Sequence, residues 1–114
     1  MKNRSTDRER LGHILAAADF ILLHTEGKVD DDFYRDDLLK YAILKQIEII
    51  GEAANSISKE LMKKYPEVEW REMIGTRHVY VHHYNKIDWV MVWEIVEQNI
   101  GKLQMQIVQI IEEI

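Results

Sequence analysis

Residues 88–114 read DWVMVWEIVEQNIGKLQMQIVQIIEEI. Apolar side chains recur here at steps of three and four residues, which is the spacing of one face of an α-helix. The members of this apolar stripe are Trp89, Val92, Trp93, Val96, Ile100, Leu103, Ile107, Ile110, Ile111 and Ile114. Asp88 precedes the stripe, and its carboxylate can accept hydrogen bonds from the first free backbone N–H groups of a helix. The pattern therefore predicts a long amphipathic helix that Asp88 caps.

Two earlier segments have the same periodicity. The first predicts a helix from about residue 5 to 25, with Gly27 as its C-terminal cap. The second predicts a long helix from about residue 37 to 63, in which small residues allow another backbone to come close. These small residues are Gly51, Ala53 and Ala54. Between the two helices lies an acidic stretch at residues 30–32.

Shorter helical pieces fill the rest of the chain. An apolar turn ends at Gly75, and residues 77–84 read as another helical piece. One proline and five glycines are too few for the regular turns of a β-sandwich or barrel. Because no linker or repeat interrupts the series, residues 1–114 are predicted to form a single domain. The predicted fold is an all-α, four- to five-helix bundle with up-and-down connections.

Composition excludes several classes of protein. The 114 residues include 20 acidic and 15 basic side chains, a formal net charge of −5, which argues against broad coating of nucleic acid but permits a local basic site. The absence of cysteine excludes disulfides and thiolate metal sites. No apolar run is long enough to span a bilayer, and residues 1–7 are too polar for a secretory signal. A cytoplasmic protein is expected.

One segment, residues 73–87, contains no Asp or Glu in this otherwise acidic chain. It holds Arg77, Lys86 and three of the five histidines. Arginine presents a charged planar fork that matches phosphate oxygens, and histidine transfers protons near neutral pH. RNA cleavage without a metal ion needs these two groups: an imidazole for the ribose 2′-hydroxyl or the leaving oxygen, and a guanidinium for the charge that develops on phosphorus. This acid-free segment is the candidate site.

Helical geometry separates the two main candidates. On an ideal helix His82 lies about 140° around the axis from Arg77. Either the helix ends near His82, or two copies of the segment meet across a dimer axis, and the second arrangement is favoured. The apolar surplus on the last helix, where Met91, Val92 and Trp93 are adjacent, also predicts a homodimer.

The histidines also have other readings. His78 and His82 have the i, i+4 spacing of helical zinc ligands, but the zincin pattern needs Glu where this chain has Val79, and no third ligand is evident. A metal site is therefore disfavoured. The remaining three histidines are predicted to be structural or surface residues: His13, His24 and His83.

The spacing Arg77, four residues, His82, one residue, Tyr84 resembles the motif of the HepT-like toxins in the HEPN superfamily. Other landmarks of that family follow in order along nearly the whole chain. They are Asp7–Leu11, Ile49–Ala54, Tyr65–Glu67, Trp70–Gly75 and Ile87–Asp88. The ordered set makes the resemblance more specific than the three-residue motif alone.

The resemblance implies an all-α domain that dimerises so that two motifs face one cleft. It implies a metal-independent endoribonuclease that is a toxin when unopposed, with Arg77 and His82 as the catalytic pair and His78 as a supporting residue. It also implies a partner, an MntA-type minimal nucleotidyltransferase antitoxin, which silences the toxin by transferring AMP to Tyr84. No cofactor is implied.

Two further interpretations stay open at this point. A non-catalytic HEPN protein could bind a nucleotidyltransferase or a nucleotide and only position it. A purely structural dimeric bundle is the third reading, but it leaves the acid-free segment unexplained. Within the family pattern, Glu52 matches a recurrent glutamate, and a structural role is favoured for it. His83 stands where many relatives have a small residue.

Overall fold

The computed structural model describes residues 4–76 and 87–114, which form helices, turns and loops without a strand. The helices are α1 (Arg4–Thr25), α2 (Asp30–Tyr34), α3 (Asp37–Asn55), α4 (Lys59–Lys64), α5 (Trp70–Gly75), α6 (Trp89–Ile95) and α7 (Gly101–Glu113). A π-helical turn, Val96–Ile100, joins α6 to α7 without a break. These three elements together are called the C-terminal helix below. The predicted all-α class is confirmed.

Hydrogen bonds fix the directions of the long helices. Near the start of α1, Arg8 Nη1 donates to the Ile111 carbonyl at 3.5 Å, and further along, Gln104 Nε2 donates to Asp19 Oδ1 at 2.9 Å. The C-terminal helix is therefore antiparallel to α1. The first turns of α1 also contact Ser58, which follows α3, so α1 and α3 are antiparallel as well.

The core lies where α1, α3 and the C-terminal helix meet. Its fully buried side chains come from the apolar stripes that the periodicity predicts, and they include Leu11, Ile14, Ile21, Ile43, Ile47, Val92, Ile100, Ile107 and Ile110. Phe33 of α2 is also fully buried, and its ring stacks on Trp93 with centroids 5.0 Å apart. Burial of this apolar surface is the main contribution to stability.

The helix ends agree with the sequence in two places. Gly27 has a φ of +73°, the left-handed conformation that glycine adopts without strain, just after α1. The Asp88 carboxylate accepts a hydrogen bond from the Met91 N–H at 3.0 Å and caps α6. Both predicted caps are confirmed.

The predicted helix from 37 to 63 is wrong beyond Asn55. It ends at Asn55, and a separate helix, α4, begins after Ser58. The Ser58 N–H donates to Asp7 Oδ1 at 2.9 Å instead of continuing the helix, and the Ser58 hydroxyl accepts from the Leu61 N–H at 3.2 Å to start the next one. A contact with α1 thus divides a segment whose apolar spacing continues unbroken.

The acidic stretch at residues 30–32 forms the short helix α2, which the sequence did not predict. Asp32 accepts a hydrogen bond from the Val29 N–H at 3.0 Å, so an acidic side chain satisfies a free donor at the helix start. The predicted helical piece at 77–84 lies outside the described residues. Within the described part of the chain, no helix is long and apolar enough to cross a membrane.

Candidate functional site

The predicted site residues Arg77, His78, His82 and Tyr84 all lie outside the described residues. The structure instead describes the two residues that flank this segment. These are Thr76, after α5, and Ile87, before α6. Each flank rests on a different part of the bundle, so their surroundings define where the segment begins and ends.

The first flank is anchored by α5. Trp70 is buried, and its Nε1–H donates to the Tyr65 carbonyl at 3.0 Å, while Met73 is buried one turn later. After Gly75, the Thr76 hydroxyl donates to the Met73 carbonyl at 2.6 Å. The chain therefore leaves α5 from a terminus that hydrogen bonds and core contacts hold in place.

The second flank is anchored by aromatic packing. Ile87 packs against the core, and Trp89 lies edge-on to Phe33 and to Tyr41, with ring centroids 6.0 and 5.1 Å away. Lys40 Nζ lies 5.0 Å from the centre of the Trp89 ring. The segment thus rejoins the bundle beside the first turns of α3.

A groove of about 210 Å³ lies beside the first flank, between α5 and the C-terminal helix. We call it the Thr76 groove. Its apolar lining comes from Ile47, Ile50, Met73, Ile95, Ile100 and Leu103. Its polar lining comes from Glu69, Glu72, Thr76, Asn99, Lys102 and Gln106. The apolar periodicity does not predict this groove, although Asn99 and Gln106 lie seven residues apart on one helix and therefore share a face.

The π-helical turn forms part of this groove. Val96 and Ile100 are buried, whereas Asn99, in the same turn, is exposed and lines the groove. A π turn is rare inside α-helices and frequently occurs at functional sites. Nothing in the apolar periodicity of the C-terminal helix predicts it.

A second cleft, of about 390 Å³, lies between α1 and α3. Its charged lining mixes both signs, because Arg10 and Lys45 face Glu48 and Glu52, and Lys45 Nζ lies 3.7 Å from Glu48 Oε1. Glu52 is exposed at this cleft and not in the Thr76 groove. Ala53 of the small-residue patch lines the same cleft, as do the basic side chains Arg10 and Lys45, and the structural role favoured for Glu52 stays a prediction.

Other titratable side chains have structural surroundings. The pKa of Tyr65 is raised by its hydrogen bond to Glu113, whose Oε1 accepts from the phenol at 2.8 Å, and by burial. The pKa of Tyr34 is raised by burial and by nearby carboxylates, Asp30 first among them. Because both pKa values are raised, both phenols stay protonated near neutral pH.

The other predicted histidines have mixed outcomes. His24 is exposed, with its ring 4.3 Å from that of Phe20, which confirms a surface position. His13 is exposed and lines the cleft between α1 and α3. His83 lies outside the described residues. Among residues 4–76 and 87–114, no three His, Asp or Glu side chains cluster closely enough to hold a metal ion.

Comparison with known proteins identifies relatives across most of the chain. The family described as "Ribonuclease HepT-like" matches residues 14–110. A protein of Caldanaerobacter subterraneus named "Putative RNase" is 32% identical over 95% of this chain and 96% of its own length. One from Thermococcus cleftensis named "Probable ribonuclease HepT" is 30% identical over 89% of this chain and 92% of its own.

A third relative is longer. It is named "Gamma-glutamylcyclotransferase and putative RNase", comes from Methanocaldococcus jannaschii, and is 36% identical over 91% of this chain. This chain spans about half of that relative, 47% of its length. No solved structure gives a significant match.

Proposed function

Because the chain belongs to the HepT-like ribonuclease family of the HEPN superfamily, we propose that it is a metal-independent endoribonuclease and the toxin of a toxin–antitoxin module. One observation carries this proposal. The acid-free segment at residues 73–87, which holds the family's Arg, His and Tyr spacing, lies within the matched range of a chain whose net charge is −5. RNA phosphates would be attracted to this segment and repelled by most of the remaining surface.

The proposed chemistry uses two side chains. The His82 imidazole accepts the proton of a ribose 2′-hydroxyl, and the 2′-oxygen attacks the adjacent phosphorus. The bond from phosphorus to the 5′-oxygen breaks, and that oxygen takes the proton back from the imidazolium, which leaves a 2′,3′-cyclic phosphate and a 5′-hydroxyl and restores the neutral imidazole. The Arg77 guanidinium stabilises the negative charge on the phosphoryl oxygens, and His78 supports the pair.

The proposed active form is a homodimer, since the two residues do not share one face of an ideal helix. Exposed apolar side chains beside the second flank support this assembly. Leu38 is 85% exposed, and one turn later Tyr41 is 57% exposed and contacts Trp89, which Val90 follows. An exposed apolar patch of this kind is typical of a subunit interface.

The proposed control is adenylylation. An MntA-type nucleotidyltransferase would join the Tyr84 phenol oxygen to the α-phosphate of ATP, with release of pyrophosphate and the phenol proton. The added phosphate would compete with RNA for Arg77, and the adenosine would block the cleft. Because its substrate would be cellular RNA, we place the toxin in the cytoplasm.

An assay of RNA cleavage in the presence of EDTA tests the proposed metal-independent ribonuclease activity. The wild-type protein, freed of partner and modification, is expected to cleave single-stranded RNA, and Arg77→Ala and His82→Ala are each expected to reduce the rate by at least about a hundredfold. His24→Ala removes an exposed histidine outside the segment and is the matched control. Intact RNA with the wild-type protein would contradict the proposal and favour a non-catalytic HEPN protein.

A further inference from the structure

The Thr76 groove lies beside the residue that directly precedes Arg77. Gln106 Nε2 donates to the Glu67 carbonyl at 3.3 Å, so this part of α7 lies at the start of α5. Asn99, seven residues earlier, lies toward the end of α5, where Thr76 also lines the groove. The Asn99 end of the groove is therefore the end that Thr76 lines, and Thr76 directly precedes Arg77 in the sequence.

The walls of the groove suit a flat ring with polar edges. Apolar side chains such as Met73 and Ile95 can contact the faces of such a ring. The Asn99 amide offers both a donor and an acceptor, and the Glu72 carboxylate offers acceptors. An unpaired RNA base combines these properties, because proteins read single-stranded bases through contacts on their faces and hydrogen bonds to their edges.

The charges of the groove disfavour the phosphate of a nucleotide. Glu69 and Glu72 line one wall, and carboxylates repel phosphate. Lys102 is the cation on the opposite wall. An RNA strand could therefore place an uncharged base in the groove while its phosphates stay outside it.

The π-helical turn is an independent sign that this position has a function. A regular α-helix would place residue 99 differently relative to the buried Val96 and Ile100, since a π turn adds one residue to the hydrogen-bonded ring. The turn therefore determines how Asn99 is presented at the groove. π turns of this length occur frequently at functional sites.

We infer that the Thr76 groove binds one nucleobase of the RNA next to the cleaved phosphate, and that Asn99 reads the edge of this base. This inference rests on the proposed ribonuclease function. Carboxylates accept hydrogen bonds and cannot donate them, so Glu72 favours a base with an exocyclic amino group. The groove thus selects adenine, cytosine or guanine over uracil.

Base preference is the measurement that tests the groove. Short RNAs that differ in one base beside the cleaved bond are compared by kcat/KM. The wild-type protein is expected to cleave the uracil substrate at least about fivefold more slowly than the best of the other three, as one good hydrogen-bond pair to a base provides. Glu72→Ala should reduce this ratio to about one, because it removes the acceptor that favours an amino group, whereas Asn99→Ala should lower kcat/KM for all four substrates.

Two variants sharpen the test. Gln98→Ala is the control for Asn99→Ala: it changes an exposed amide in the same π turn that does not line the groove, and it should keep the wild-type kcat/KM values. Glu72→Gln replaces an acceptor by a group that can also donate, so it should raise kcat/KM for the uracil substrate. Circular dichroism checks that each variant keeps its helical content.

A binding measurement separates this inference from the proposed function. The same oligonucleotides with a 2′-deoxyribose at the cleaved position cannot form the cyclic phosphate, and fluorescence anisotropy gives their affinities. A base preference in affinity that Glu72→Ala removes supports the groove even if the wild-type protein cleaves nothing. A preference that is absent, or that survives in Glu72→Ala, overturns the inference even if cleavage occurs.

Discussion

Asp7 accepts two hydrogen bonds from Ser58, one at each carboxylate oxygen. Oδ1 accepts from the Ser58 N–H at 2.9 Å, and Oδ2 accepts from the Ser58 hydroxyl at 2.6 Å. The two residues lie 51 positions apart, and Asp7 is only 6% exposed. This pair fixes the start of α1 against the junction between α3 and α4, and it gives a structural reason for Asp7 in the family pattern.

Asp7→Ala is expected to destabilise the protein by about 2–4 kcal/mol, because it removes two charge-assisted hydrogen bonds and leaves the Ser58 N–H without its acceptor. Urea unfolding followed by circular dichroism measures the change. Asp19→Ala is the matched control, since Asp19 is exposed and accepts from Gln104. Asp19→Ala should lower the free energy of unfolding by less than about 1 kcal/mol. Equal losses in the two variants would contradict the assigned role of Asp7.

Phe33 packs α2 against the core. Its side chain is fully buried, stacks on Trp93 at 5.0 Å and lies edge-on to Trp89 at 6.0 Å. Phe33→Ala is expected to lower the free energy of unfolding by about 3–5 kcal/mol. Met105→Ala, at a position 71% exposed on α7, should change it by less than about 0.5 kcal/mol. Thermal unfolding curves that overlay for the two variants would refute this account.

The hydrogen bond between Tyr65 and Glu113 should make stability depend on pH in alkaline solution. It raises the pKa of the Tyr65 phenol above the ordinary value of 10.0 in the folded state. A raised folded-state pKa means that the stabilising contribution is complete below pH 10 and is lost as the pH rises further. We expect the free energy of unfolding to fall above pH 10.

Tyr65→Phe should weaken this alkaline loss, because phenylalanine has no phenol to ionise. Tyr41→Phe, which removes a phenol from an exposed position, is the comparison and should leave the loss unchanged. Urea unfolding at a series of pH values from 8 upward gives the slopes. The same slope in Tyr65→Phe as in the wild type would show that another group is responsible.

The sequence predicts those parts of the fold whose causes are local. The apolar stripe and the Asp88 cap specify the C-terminal helix, and Gly27 specifies the end of α1. The break after Asn55 could not be predicted, because it depends on a carboxylate 51 residues away from Ser58 while the local apolar spacing continues. Periodicity needs more residues than the five of α2 provide.

Part of the candidate site can likewise be predicted from the sequence, and part of it cannot. The acid-free segment and the motif of Arg77, His82 and Tyr84 are visible in the sequence, since they depend on composition and spacing. The Thr76 groove is not visible, because it needs α5 to pack on α3 beside the C-terminal helix and a π turn to present Asn99. Positions that depend on the contact of distant segments need the structure.

The exposed apolar side chains at the start of α3 predict where two copies would meet. Leu38→Asp introduces a charge at a position 85% exposed, and a carboxylate in the first turn of a helix does not disfavour that helix. We expect this variant to remain folded and to change from dimer to monomer in light scattering coupled to gel filtration. Met105→Asp, on another exposed apolar residue, should stay dimeric. If Leu38→Asp remains a dimer at micromolar concentration, the interface lies elsewhere on the surface.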